Sequence, residues 1–165
     1  MRRLLPLLTL LIACRSEVAP FRWTTGAHEY DCIVRDRMVD GVRQQTLTID
    51  AEGGTFHREG TNLIAIGMME LADTNESLLV TQWVGGANTY ELAVYRLVNG
   101  KVFEVLNAVT GSTELAYLDL GDDGTYDIVT YERGSGGGMS PGKTYVHTWR
   151  EGRFFRREVT AISAQ

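Results

Sequence analysis

Three stretches of this chain share one layout, and that layout restricts what the chain can fold into. CIVRDRMVDGVRQQ from Cys32, AVYRLVNGKVFEV from Ala93 and YVHTWREGRFFRRE from Tyr145 each set a dipeptide ending in glycine between runs of apolar and polar residues. A two-residue connection between antiparallel strands needs positive φ at its central positions, so Asp40-Gly41, Asn99-Gly100 and Glu151-Gly152 read as hairpin turns. Thr46 to Asp50 and Thr144 to Trp149 alternate with a period of two, as half-buried strands do. The turn glycines recur at intervals of about 50 to 60 residues, the range of blade-like repeats.

A second pair of similar segments lies between these hairpins, MELADTNESLLVTQ from Met69 and LDLGDDGTYDIVTY from Leu118. In Asn88 to Val98, Tyr90, Ala93, Val94 and Leu97 have helical spacing and Asn88 or Thr89 could cap a helix. The matching segment Tyr145 to Trp149 alternates and is rich in β-branched and aromatic residues, so both are read as strands. Leu63 to Leu71 is open to either reading. The expected fold is all-β, made of antiparallel hairpins that resemble two to three propeller blades. The chain is too short for the four to eight blades of a closed propeller, so an open stack, a sandwich-like arrangement or closure by self-association is expected. Arg and Glu around the last strand would discourage uncontrolled edge pairing.

The chain has 165 residues, 44% of them hydrophobic, enough for one domain with a core. A net charge of −5 gives no basis for binding a polyanion, which argues against nucleic acid. The first thirteen residues, MRRLLPLLTLLIA, join a positive start to an apolar run too short to span a bilayer, the layout of a signal peptide. Leu11, Ile12, Ala13 and Cys14 resemble the lipobox of bacterial lipoproteins. The resemblance implies cleavage before Cys14, acylation of its thiol and of the new amine, and lasting attachment to the cell-envelope membrane. Arg15 after the cysteine resembles outer-membrane sorting in diderm bacteria. Loss of residues 1–13 would take the charge to about −7. Residues 14–26 are then the lipidated cysteine and a tether containing Pro20 and Gly26, and 27–165 the β-repeat domain. Cys32 is the one cysteine left after Cys14, so no internal disulfide can form, and it is expected as a small buried apolar residue.

DLGDDGTYD, residues 119–127, precedes the apolar pair Ile128-Val129 and resembles the acidic loop of FG-GAP/VCBS-type repeats, which build integrin-like β-propellers. That loop usually reads DxDxDGxxD, and Asp119, Asp123, Gly124 and Asp127 match it. The resemblance implies a Ca²⁺ site on Asp119, Asp123 and Asp127, since Ca²⁺ takes six to eight oxygen ligands and glycine allows the sharp turn. Gly121 stands where the family carries an oxygen-bearing side chain, so weak binding is expected. The earlier counterpart, Glu70, Asp73, Asn75 and Glu76, lacks the glycine and the spacing.

Residues 137–144, GGMSPGKT, satisfy the phosphate-loop pattern GxxxxGK[ST]. A working phosphate loop opens a helix, however, whereas Thr144 opens an alternating segment with only 21 residues after it, which argues against nucleotide. His28, His57 and His147 have no zinc spacing, no GxSxG elbow occurs, and no catalytic residue is assigned. The expected function is a lipid-anchored, non-catalytic envelope protein whose β surface binds a protein or glycan. The alternatives are an exported metal-dependent hydrolase and an accessory subunit of an envelope complex.

The lipobox reading has a direct test. Cys14→Ser should leave the precursor uncleaved and unacylated, because both steps need the thiol. Fatty-acid labelling of cells should therefore mark the parent and not the variant; equal labelling would remove the anchor from the argument.

Overall fold

The computed structural model describes residues 20–72, 74–111, 116–122, 124–132 and 142–159. Among them the chain forms strands and no helix. The strands are β1 Phe21–Thr25, β2 His28–Val39, β3 Val42–Ala51, β4 Gly54–Gly60, β5 Leu63–Glu70, β6 Ser77–Gly86, β7 Thr89–Val98, β8 Lys101–Thr110, β9 Ala116–Leu118, β10 Asp127–Glu132, β11 Lys143–Arg150 and β12 Arg153–Val159. They make three four-stranded antiparallel meanders in chain order: β1 to β4, β5 to β8, and β9 to β12. No sheet closes into a barrel, and the second lies between the first and the third.

The hairpin dipeptides do what their chemistry requires. Asp40 and Gly41, Asn99 and Gly100, and Glu151 and Gly152 all have positive φ, between 50° and 79°, so each pair makes the two-residue turn that suits the twist of its strands. Their places in the fold are not all equivalent, however. Asn99-Gly100 and Glu151-Gly152 join the third and fourth strands of their sheets, whereas Asp40-Gly41 joins the second and third. The true counterpart in the first sheet is Glu52-Gly53, and it stacks on its equivalent in the second, with Gly53 N–H donating to the carbonyl of Gly100 at 2.7 Å.

Both segments with mixed spacing are strands, and one boundary differs from expectation. Thr89–Val98 is a strand, as its likeness to the last hairpin predicts, and Leu63–Glu70 is one as well. The folded part begins inside the segment read as tether: Phe21–Thr25 pairs with β2, and Trp23 is fully buried. Five residues bounded by Pro20 and a turn at Gly26 are too few to display a period.

Packing follows from the alternation of side chains across the middle sheet. Leu79, Trp83, Ala93 and Tyr95 point to the first sheet, where they meet Trp23, Tyr30, Cys32, Leu47 and Ile49. Leu78, Val80, Leu92 and Val94 point the other way, onto Ile128 with Tyr117, Trp149 and Phe154. Ser77 through Trp83 is buried at every position because β6 has a sheet on each side. Each fully buried leucine or valine there contributes roughly 1.5–3 kcal/mol relative to exposure. The fit is close: a Cβ at Gly60 would run into the Trp83 ring.

Several polar groups that cross between the first two sheets are paired. Trp23 Nε1 donates to Ser77 Oγ at 3.0 Å, and Ser77 N–H donates to Thr25 Oγ1 at 3.0 Å. Arg58, on β4, reaches Glu91 of β7 at 2.7 Å and Glu104 of β8 at 2.5 Å, and lies 5.6 Å from the Trp83 ring centroid. Burial works against its charge, but the facing phenol and the two carboxylates prevail, so its pKa is raised. Beside it Phe56 meets the edge of Tyr95, with ring centroids 5.1 Å apart.

Candidate functional site

The two ends of the stack differ in chemistry. On the outer face of the first sheet polar side chains engage one another: Arg22 with Glu29 and Asp31, Thr48 with His57, and Thr55 with Asp50. Such a face is content in water, like the polar cap of a repeat array.

The outer face of the third sheet is of another kind. Ile128, Trp149 and Phe154 face the second sheet, so the alternating residues Asp127, Tyr131, Arg153, Phe155 and Arg157 face away from it. Leu118, Tyr131 and Phe155 are each about 40% exposed there. A cleft of about 590 Å³ opens across this end, lined in part by Asp127, Thr148, Arg150, Arg153, Phe155 and Arg157. Arg153 lies over the Phe155 ring at 4.5 Å. Among the described residues Arg150 and Arg157 have no ion-pair partner. Although Asp127 and Glu151 also line the cleft, an acidic chain thus gathers guanidinium groups that form no ion pair among the described residues beside apolar side chains, a combination suited to a carboxylate-bearing partner.

These residues were not assigned a site from the sequence, where Arg and Glu near the last strand were read as edge protection. The signal was present in the alternation Arg153, Phe155, Arg157, but it points to a site only once the face left uncovered is known.

Of the residues assigned from the sequence, Cys14 and Asp123 lie outside the described residues. Asp119 and Asp127 flank the loop between β9 and β10. Asp119 Oδ2 accepts from Gly124 N–H at 2.9 Å, and the buried Asp127 accepts from Leu120 N–H at 3.3 Å. Asp122 and Gly124 have positive φ, so the loop turns as sharply as its acidic pattern requires. Among the described residues no three His, Cys, Asp or Glu side chains are grouped to hold a metal ion. The phosphate-loop pattern is described only from Gly142: Lys143 pairs with Glu158 at 3.0 Å, and Lys143 and Thr144 open a strand, not a helix. Cys32 is buried and free, and burial pushes its thiol up to about 12, which makes it inert.

His28 and His57 are exposed on strands, but His147 is 2% exposed, between the second and third sheets. Its Nε2 lies 2.9 Å from Thr130 Oγ1, and its Nδ1 has no hydrogen-bond partner. Burial first, and then the charge of Arg156, lower its pKa to about 4, with Glu132 opposing. The unfolded chain takes up a proton near pH 6.5 that the folded chain refuses until about pH 4, so stability must fall as pH drops through that window. The loss should be on the order of 2–3 kcal/mol. His147→Gln should flatten the dependence of denaturation midpoint on pH between 6.5 and 4.5 relative to the parent. Parallel profiles would mean that folding does not shift the imidazole's pKa.

Comparison with known proteins finds no matching family model, no matching curated protein and no matching solved structure.

Proposed function

We propose that this protein is a lipid-anchored component of the bacterial envelope whose stacked-sheet domain is a non-catalytic binding module for a protein or glycan. The observation that carries the reading is the contrast between the ends of the stack. The first sheet ends in polar groups that satisfy one another, whereas the third ends in exposed aromatic and aliphatic side chains among arginines of which Arg150 and Arg157 have no ion pair among the described residues. Exposed apolar surface rimmed by charge marks an interaction site. The lipobox at Cys14 would hold that surface near the membrane.

The test is retention of solubilised envelope proteins, and separately of envelope polysaccharide, on the immobilised domain. At least one should bind saturably, in a salt-sensitive way, and be lost with Arg150→Glu combined with Arg157→Glu. A domain that retains neither overturns the reading.

Weak Ca²⁺ binding by Asp119, Asp123 and Asp127 forms part of the proposal, motivated by the acidic pattern and its sharp turn. Selective binding to the folded state stabilises by RT ln(1 + [L]/Kd). A tenfold excess over a submillimolar Kd should raise the melting temperature by about 3–6 °C. The comparison is between EDTA and millimolar Ca²⁺, with Mg²⁺ as the ionic control and Asp123→Asn as the variant. An unchanged melt, or an equal response in the variant, would leave the loop as an acidic turn.

A further inference from the structure

The third sheet repeats at three positions, with valine for leucine at one, part of the device by which the first sheet holds the second. Counting from the equivalent turns Glu52-Gly53 and Glu151-Gly152, Leu47 pairs with Arg58 as Val146 pairs with Arg157. Phe56 corresponds in the same way to Phe155. Leu47, Phe56 and Arg58 lie on the face of the first sheet that meets the second. Their counterparts Val146, Phe155 and Arg157 lie on the opposite face of the third sheet, where Val146 is buried, Phe155 and Arg157 are exposed, and no sheet lies beyond among the described residues.

The occupied copy shows what the exposed pair Phe155 and Arg157 is built to meet. Arg58 inserts between the carboxylates of Glu91 and Glu104 over an indole, while Phe56 lies against Tyr95. We propose that the outer face of the third sheet is a protein-docking surface for another protein's acidic β-face, with Arg157 taking a carboxylate as Arg58 does and Phe155 seated on an adjacent apolar side chain. The inference rests on the binding-module reading and names its partner class.

A second copy of this chain does not supply that chemistry. Stacked in the same register, its first sheet would offer Gln44 and His57 at the positions that Glu91 and Glu104 hold in the second sheet. Two third sheets face to face would oppose Arg150, Arg153 and Arg157 with the same residues, a repulsive arrangement. The complementary occupant is therefore a different, acidic protein.

The experiment places a photo-crosslinking phenylalanine analogue at position 155 of the full chain, expressed in its own cells, with the same analogue at position 48 on the outer face of the first sheet as a control. Position 155 should give a discrete protein adduct, absent from position 48, whose cross-linked segment carries Asp or Glu. The adduct should fall at least tenfold with Arg157→Glu and with Arg157→Gln, each melting within a few degrees of the parent. No protein adduct, an adduct indifferent to both substitutions, one joined at a segment without Asp or Glu, or one of twice the chain's own mass would overturn the proposal. If polysaccharide is retained by the domain while position 155 yields no protein adduct, the partner class fails and the binding-module reading stands.

Discussion

A β-sheet has two faces, and in a stack of three only the middle sheet can have both covered by its neighbours. That constraint organises this molecule. It explains the unbroken burial of β6 from Ser77 to Trp83, with even-numbered residues serving one interface and odd-numbered residues the other. It also leaves two terminal faces to be reconciled with water. The first sheet does so with threonines, carboxylates and arginines that engage one another. The third keeps the residue types of an internal interface.

Charge refines what apolar burial begins. Pulling Arg58 into an interface would be costly if it stood alone, but two carboxylates and an indole surround it, and the group becomes a means of fixing one sheet against the next. Glu91 is held below its usual range although burial opposes this, because Asn107 and Arg58 both favour the carboxylate. The same logic makes His147 a weak point. Glu132 opposes the shift but does not offset burial and the charge of Arg156.

Local chemistry was legible in the sequence, whereas relations between sheets were not. Asn99-Gly100 and Glu151-Gly152 could be recognised because a two-residue turn imposes its own residue types. Strand order within a sheet imposes none, so Asp40-Gly41 looked like their equivalent although Glu52-Gly53 holds that place. β1 was missed because its one decisive residue, Trp23, is recognisable only by its contact with Ser77, 54 residues away. The acidic loop was visible as a pattern, and the backbone does turn there, with Asp119 and Asp127 each accepting an amide of the loop. Arg157 was visible as a charge, but its interest depends on which face it occupies, and that is settled by the packing of Ile128 and Phe154 on the opposite side.

The attachment of β1 has a mechanical consequence. This strand lies at the edge of its sheet and is the first described element of the chain, so any tension on the preceding residues is applied to it directly. An edge strand held by one neighbour would peel. Here Trp23 and Thr25 are also bonded to Ser77, and Gly26 N–H donates to the carbonyl of Asn75 at 2.6 Å, all within the loop and strand start of the central sheet. A pull is therefore shared between β2 and the most deeply buried part of the molecule, where the strands resist together.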